Sequence, residues 1–233
     1  MKRALAVTSS LATTLARLGS GAQVAQRGRR PAQLLELYEF EACPFCRKAR
    51  EALSILDLDA LIRPCPKGGP NYREEVKARG GKAMFPYLVD PNTGQEMYES
   101  DDIVAYLFAQ YGEGEAPRLL RPGALNDATA MLASLWRPAA GARYRQARRA
   151  ERPLELWSYE ASPFCRLVRE KLSSLELSYR LHNVAKGGQC RDAFVSRSGR
   201  MQVPYLVDPN TGREMFESAD ITRYLEETYA VAS

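Results

Sequence analysis

The stretch that decides the fold is Glu41-Ala42-Cys43-Pro44-Phe45-Cys46-Arg47-Lys48, which follows a short apolar segment and opens a helical pattern. A strand that delivers a Cys-x-x-Cys to the first turn of a helix is a redox arrangement, because the helix dipole and the unpaired backbone N–H groups favour a thiolate at the first cysteine. Pro44 suits that turn, since its missing N–H would have no partner there. A near-copy returns as Glu160-Ala161-Ser162-Pro163-Phe164-Cys165-Arg166, with serine in place of the first cysteine.

The passage that follows this motif is also repeated almost residue for residue. The segment from Pro86 to Gly94 recurs without change from Pro204 to Gly212, and Lys67-Gly68-Gly69 returns as Lys186-Gly187-Gly188. Such a repeat indicates an internal duplication. We therefore predict two structural units, over residues 33–112 and 153–233.

Hydrophobic periodicity gives each unit the element order β-α-β-α-β-β-α. In the first unit it predicts a helix over 100–111, capped by Ser100, with Asp101 and Asp102 at its positive end. The other predicted elements are strands over 34–40, 60–63, 87–89 and 96–98 and helices over 44–56 and 72–79.

The remaining residues form a basic N-terminal segment, 1–32, and a linker, 113–152, with one predicted helix over 125–136. The segment 1–32 contains six basic residues and no acid. Its amphipathic, Ser- and Ala-rich pattern fits either an organelle transit peptide or a helix that docks on the body. The linker holds eight arginines, six of them between residues 137 and 152. We interpret these six as part of a solvated linker, and no nucleic-acid binding is expected.

Cysteine and histidine usage limits the possible chemistry. Five cysteines and one histidine, without a secretory signal, favour a reducing compartment such as the cytoplasm and a reactive pair over a disulfide framework. A zinc site would need more ligands of the right spacing, so no metal site is predicted. No apolar run reaches the length of a membrane helix.

Each unit resembles the thioredoxin-fold N-terminal domain of glutathione transferases, and the first equally resembles a glutaredoxin. The resemblance depends on the Cys-Pro-Phe-Cys motif, the Phe85-Pro86 step and the Glu99-Ser100 step, each with a counterpart in the second copy. It implies an α/β fold of two tandem thioredoxin-like domains, each with a mixed four-stranded sheet, and it implies glutathione as the ligand.

The resemblance also implies the binding residues. Pro86 and Pro204 would follow cis peptide bonds and expose the preceding backbone to pair with a peptide in strand fashion. The Glu-Ser step at a helix start would hold the γ-glutamyl end, although plain helix capping explains it as well. The implied glutathione-binding residues are Phe45, Phe85, Pro86, Glu99, Ser100, Val203, Pro204, Glu217 and Ser218.

The cysteine pair predicts the chemistry of the first unit. Cys43 would be the exposed nucleophile and Cys46 the resolving thiol, with Arg47 and Lys48 adding positive potential that lowers the pKa of the nucleophile. The alternative is a pair of buried small hydrophobic residues. Ser162 either donates a hydrogen bond to a bound glutathione thiolate or belongs to a degenerate site, and Cys165 is expected to be a packed core thiol.

These observations leave two classes of function open. The first is a glutathione-dependent thiol–disulfide oxidoreductase, acting on disulfides or glutathionylated substrates, with transferase activity through Ser162 or Cys43 as a variant. The second is a non-catalytic module that binds glutathione or an iron–sulfur cluster. The sequence gives no indication of the oligomeric state.

Overall fold

The computed structural model describes residues 2–135, 137 and 139–231. It contains eight strands and eight α-helices among these residues, with a short 3-10 helix at Arg118–Leu120. The strands are β1 (Leu35–Glu39), β2 (Ala60–Pro64), β3 (Tyr87–Asp90), β4 (Gln95–Met97), β5 (Leu154–Ser158), β6 (Tyr179–Asn183), β7 (Tyr205–Asp208) and β8 (Arg213–Phe216). The helices are α1 (Lys2–Ala16), α2 (Pro44–Ile55), α3 (Tyr72–Gly80), α4 (Ser100–Tyr111), α5 (Ala124–Leu135), α6 (Pro163–Ser174), α7 (Arg191–Ser198) and α8 (Ser218–Tyr229).

Both units have the predicted α/β order of elements. The helix predicted over 100–111 has the predicted ends, and the other six elements of the first unit lie within two residues of their predicted positions. The predicted cap is wrong by one residue: Ser100 is the first residue of α4, and the N-cap is Glu99, whose side chain makes no capping hydrogen bond.

Each unit forms the predicted mixed four-stranded sheet. In the first unit β1 pairs in parallel with β2 and antiparallel with β3, and β3 pairs antiparallel with β4. The second unit repeats this pattern with β5, β6, β7 and β8.

The two sheets are joined into one. Strand β2 pairs antiparallel with β6, which gives an eight-stranded sheet in the order β4-β3-β1-β2-β6-β5-β7-β8. Counted inward from its two ends, the sheet has equivalent strands of the two units in the same order. The two units are therefore related by a pseudo-two-fold axis between β2 and β6. Each unit thereby covers a sheet edge that the other would leave unpaired.

The N-terminal helix docks on the body of the protein. Helix α1 packs on α6 and α5, and its polar side chains Ser10 and Thr14 donate hydrogen bonds to the backbone oxygens of Pro163 and Ala161. Its leucines face outward: Leu15, for example, is 73% exposed. Docking is thus the arrangement observed for the described part of this segment.

The middle segment contains the predicted helix, observed as α5, which packs on α2 and α1. Trp136 and Pro138, the predicted last residue and terminator of this helix, lie outside the described residues. The interpretation of its arginines as a solvated linker is wrong for Arg137, whose largely buried side chain binds Glu170. Arg145 binds Glu226 at 2.5 Å but is half exposed.

The segments before the two units take equivalent paths. We call residues 20–29 the first strap and residues 140–148 the second strap. The first strap pairs with Lys186 of the second unit, and the second strap pairs with Lys67 of the first unit. The straps then return to their own units, where Arg29 and Arg148 each donate a backbone hydrogen bond at 2.7 Å to the last residue of α4 or α8. The structural repeat therefore extends beyond the two predicted units into both flanking segments.

The apolar core follows the same symmetry. One cluster combines helix and sheet residues of both units, including Leu37, Leu53, Leu156 and Leu172. A smaller aromatic cluster covers the opposite sheet face of each unit, around Tyr38 and around Trp157. None of the helices among the described residues is both long and apolar enough to cross a membrane.

Candidate functional site

Cys43 stands at the turn between β1 and α2, as the motif predicts. It is the N-cap of α2, and its Sγ accepts a hydrogen bond at 3.2 Å from the backbone N–H of Cys46. Pro44 is the first residue of the helix. In the second unit Ser162 has the same place, and its Oγ accepts from the N–H of Cys165, also at 3.2 Å.

The two cysteines of the first unit differ in acidity. Hydrogen bonding from Cys46 lowers the pKa of the Cys43 thiol, with a further contribution from the charge of Arg50. Burial raises the pKa of the Cys46 thiol well above its ordinary value. Only 4% of Cys43 is exposed, so the predicted nucleophile is more buried than expected, although its acidity relative to Cys46 has the predicted direction.

Arg47 and Lys48 were expected to supply the positive charge near Cys43. Their charges instead meet carboxylates: Arg47 Nη1 lies 3.5 Å from Glu160 Oε1, and Lys48 Nζ lies 2.8 Å from Asp101 Oδ1 and also contacts Asp127. Arg50, one turn further along α2, is the arginine that contributes to the low pKa of Cys43.

A groove beside Cys43 brings the predicted binding residues of the first unit together. It is a cavity of about 170 Å³ lined by Met84 and by all five predicted residues, Phe45, Phe85, Pro86, Glu99 and Ser100. The Phe85-Pro86 peptide bond is cis, as predicted. Phe45 is 37% exposed at the groove, which leaves part of its ring accessible to a ligand.

The second unit has a matching but larger groove. Its cavity of about 320 Å³ is lined by Phe164, Gln202 and the four predicted residues Val203, Pro204, Glu217 and Ser218. The Val203-Pro204 bond is also cis. Phe164, the counterpart of Phe45, was not among the predicted binding residues, although the repeated motif contains the signal for it.

In each groove, one of the lining residues has an unusual backbone conformation. Glu99 and Glu217 have φ angles of 63° and 66°, a left-handed conformation that residues other than glycine rarely adopt. Such conformations cost about 1 to 3 kcal/mol and concentrate at functional sites. Here they turn the chain so that the glutamate lines the groove and the following serine starts the helix.

A buried network of charged side chains lies between the two motifs. Glu160, two residues before Ser162, accepts a hydrogen bond from Arg50 of the first unit at 3.0 Å through its Oε2, and Arg169 Nη2 lies 2.8 Å from the same oxygen. Glu41, just before Cys43, accepts from Arg169 of the second unit at 3.0 and 3.1 Å. The carboxylate before each motif therefore binds arginines of the opposite unit.

This network is almost completely withdrawn from water. Burial would raise the pKa of Glu160, but Arg169, Arg50, Arg47 and Arg166 lower it to about 2. Burial raises the pKa of Glu39, the partner of Arg50 at the end of β1, to about 7. Because buried ion pairs contribute little net stability, we interpret this network as fixing how the two units meet.

The charged network was missed at the sequence level. Arginine and glutamate are normally exposed, so pattern reasoning assigns them to the surface. The available signal was that Glu41, Arg47 and Arg50 recur as Glu160, Arg166 and Arg169 in the duplicated motif.

The remaining cysteines and the histidine lie apart from the grooves. Cys65 and Cys165 are buried, and burial raises the pKa of both thiols, as expected for the packed thiol predicted at Cys165. Cys190 is half-buried at the start of α7. His182 lies in β6, where it stacks on Trp157 at 4.1 Å and contacts Glu155. No group of three or more His, Cys, Asp or Glu side chains in the described part of the chain is arranged to hold a metal ion.

Two thioredoxin-like units with a cis-proline groove beside a helix-capping cysteine or serine define the class of protein. The family profile described as glutathione S-transferase, N-terminal domain, matches residues 37–116 and 156–232. The chain therefore belongs to the family of proteins with glutathione S-transferase N-terminal domains, of which it contains two.

The other comparisons add a distant structural likeness. A solved structure described as Leishmania TDR1, a unique trimeric glutathione transferase, has a TM-score of 0.31 and 15% sequence identity, over 87% of this chain and 68% of that chain. Among curated proteins, none matches this chain.

Proposed function

We propose that the chain is a glutathione-dependent thiol–disulfide oxidoreductase in which Cys43 is the reactive thiol. The observation that carries the proposal is the position of Cys43: it caps α2 with a lowered pKa, two residues before Phe45, which lines a cis-proline groove. A low pKa raises the fraction of thiolate at neutral pH, and the thiolate is the species that exchanges with disulfides.

The groove suits glutathione as the partner thiol. The backbone before Pro86 would pair with the cysteinyl residue of glutathione in strand fashion. At the start of α4 the backbone N–H groups and Ser100 would receive the γ-glutamyl carboxylate, and Glu99 would receive the ammonium group. This orientation directs the glutathione sulfur toward Cys43.

The reaction proceeds by two exchanges. The Cys43 thiolate attacks the glutathione sulfur of a mixed disulfide, so that the Cys43–glutathione disulfide forms and the substrate sulfur leaves as a thiolate that takes a proton. A second glutathione thiolate then attacks this adduct, which releases glutathione disulfide and restores the Cys43 thiolate. Cys46 provides an alternative, intramolecular exit from the adduct, but its raised pKa makes it the slower attacker.

Ser162 cannot take part in this exchange, because a hydroxyl group has no redox chemistry. Its Oγ has the same helix-capping place as the Cys43 sulfur. In the second groove it would donate a hydrogen bond to a bound glutathione thiolate, which favours a transferase-like use of that unit as the second candidate function.

The decisive assay is glutathione-dependent reduction of a glutathione mixed disulfide of a small thiol. We expect Cys43→Ser to abolish the activity, Cys46→Ser to retain most of it, and Ser162→Ala to leave it unchanged. Undiminished turnover by Cys43→Ser would refute the assignment. Conjugation of glutathione to an electrophile, lost in Ser162→Ala but retained in Cys43→Ser, would establish the second candidate instead. A coloured purified protein that loses its colour in Cys43→Ser would indicate the non-catalytic iron–sulfur module.

A further inference from the structure

The outward surface of α1 and α5 is apolar. Leu11 and Leu15 of α1 are 45% and 73% exposed, and Leu18, two residues after the helix, is 83% exposed. Met131 and Leu132 of α5 are about half exposed. We call these five residues the helix-pair patch. Exposed leucines are ordinary when they are scattered, but a contiguous apolar patch marks an interaction surface.

The inward side of α1 is polar, which is the reverse of an ordinary surface helix. Ser10, Thr13 and Arg17 are buried against the body of the protein. Arg166 of α6 donates a hydrogen bond at 2.6 Å to the backbone oxygen of Ser10, and Arg17 donates to Glu51 of α2 at 2.9 Å. The leucines of α1 therefore point outward because its polar face binds buried polar groups of the body.

Two equivalent arginines fix the pair of helices. Arg17 follows α1 and donates to Asn126 Oδ1 near the start of α5 at 3.1 Å, while Arg137 follows α5 and donates to the backbone oxygen of Ala6 in α1 at 2.8 Å. The two helices therefore run antiparallel, and each arginine also binds a buried glutamate of α2 or α6. Leu11 and Met131 each lie six residues before these arginines, so the patch has the same approximate symmetry as the two units.

The helix-pair patch carries no charge. The charged residues of the two helices are Lys2, Arg3 and Asp127, all in the first turn of their helix, and Asp127 contacts Lys48. Two such faces can meet without burying an unpaired charge and without like-charge repulsion. A helix that binds an anionic membrane carries lysines and arginines beside its apolar face, whereas the sequence has none between Arg3 and the buried Arg17. The charge pattern favours a second copy of the chain over a lipid surface.

The outer face of the helix pair is large enough for a dimer interface. Helices of 15 and 12 residues are about 22 and 18 Å long, and two of them side by side are about 20 Å wide. The face therefore measures about 400 Å² in projection, and protruding side chains make its accessible area larger. Contact between two such faces reaches the total of about 1,000 Å² that a specific interface needs.

We propose that the helix-pair patch is the surface through which two copies of this chain form a dimer. The α1–α5 pair of one copy packs face to face on the pair of the other copy, and the patch forms the apolar core of an isologous interface. This interface is separate from the pairing of β2 with β6, which joins the two units within one chain. It does not depend on the glutathione chemistry of the proposed function.

Light scattering of the full chain during gel filtration measures its mass in solution. We expect twice the 26.1 kDa of one chain at micromolar concentration. A monomer at every concentration would overturn the proposal.

Lysine substitutions locate the interface. Leu15→Lys and Met131→Lys each place like charges on both copies, because every substitution appears twice in a symmetric dimer. We expect each to raise the dissociation constant of the dimer by about tenfold or more, as loss of a central interface residue does. The matched control is Val195→Lys, since Val195 is 37% exposed on α7, at the opposite face of the sheet, and is expected to leave the dimer unchanged. A dimer that neither patch variant weakens, or that the control weakens equally, would overturn the proposal.

A second pair of measurements separates the dimer from a lipid-bound monomer. Circular dichroism checks that the variants are folded, which we expect because the substituted side chains face outward in one copy. Sedimentation with vesicles of phosphatidylcholine and phosphatidylserine tests lipid binding. A dimer that Leu15→Lys and Leu15→Glu weaken alike would support the proposal. A monomer that binds these vesicles, retains binding in Leu15→Lys and loses it in Leu15→Glu would overturn it in favour of a lipid surface.

Discussion

Glu160 of the second unit accepts a hydrogen bond at 3.0 Å from Arg50 of the first unit. The charge of Arg50 helps to lower the pKa of the Cys43 thiol. A carboxylate beside one motif thus neutralises part of the charge that acts on the thiol of the other motif. The acidity of Cys43 is therefore a property of both units together.

We predict that Glu160→Gln lowers the pKa of Cys43, because Arg50 then lacks one of its negative partners. The rate of alkylation by iodoacetamide as a function of pH measures this pKa. Arg50→Gln is expected to raise it, and Glu226→Gln, which removes a carboxylate at the surface, is the control without effect. An unchanged or higher pKa in Glu160→Gln would contradict the prediction, provided that circular dichroism shows a folded protein.

Glu39 predicts a pH dependence of stability. Burial raises its pKa from 4.5 in the unfolded chain to about 7 in the folded protein. A raised folded-state pKa gives stability that is fully present below the unfolded pKa and is lost as the pH rises through the folded pKa. We expect Glu39→Gln to flatten the decline of the unfolding free energy between about pH 4.5 and about pH 7. Urea unfolding across this range measures it, and an unaltered slope would disprove the assignment.

Arg17 is expected to be essential for docking of the N-terminal helix. It is 1% exposed, and its Nε donates to Glu51 at 2.9 Å while Nη1 donates to Asn126 Oδ1 at 3.1 Å. Removing one partner of a buried ion pair costs about 3 to 5 kcal/mol, so Arg17→Ala should lose this amount of unfolding free energy. Arg145→Ala, which breaks a half-exposed pair with Glu226, should cost about 1 kcal/mol or less. Similar losses in the two variants would argue against the buried role.

Asp90 in the first unit and Asp208 in the second each accept hydrogen bonds from two tyrosines of the last helix of their unit. Asp90 Oδ2 accepts from the hydroxyls of Tyr106 and Tyr111, and Asp208 Oδ2 accepts at 2.6 Å from both Tyr224 and Tyr229. Leaving buried hydroxyls with a poorer partner costs about 1 to 3 kcal/mol, so Asp90→Asn and Asp208→Asn should each destabilise by this amount. Thermal unfolding of the single and double variants tests this, and an effect in only one unit would break the expected equivalence.

Much of the architecture could be predicted from local pattern. The turn after Cys43, the cis bonds before Pro86 and Pro204, and the helix from Ser100 are local features whose residues are adjacent in sequence. The candidate binding residues followed because each groove is assembled from such local motifs, held together by the fold of one unit.

The contacts between units could not be predicted in this way. Pairing of β2 with β6 and of Glu160 with Arg50 joins residues that are far apart in sequence, and a charged residue does not specify its partner. The two straps share a Gly-Ala pair and a glutamine at matching places, Gly21-Ala22 with Gly141-Ala142 and Gln26 with Gln146. This similarity is too short to predict the equivalence that their backbone pairing with Lys186 and Lys67 shows.

The join between β2 and β6 makes the molecule the covalent equivalent of a heterodimer. In an ordinary symmetric dimer one gene encodes both subunits, so every substitution appears twice and the two sites must stay alike. Here the halves are always present in equal stoichiometry, yet each position can vary on one side only. Position 43 can thus hold cysteine while its equivalent, position 162, holds serine, and position 85 can hold phenylalanine while position 203 holds valine. One unit can therefore acquire a different function while the covalent chain still holds the two units together.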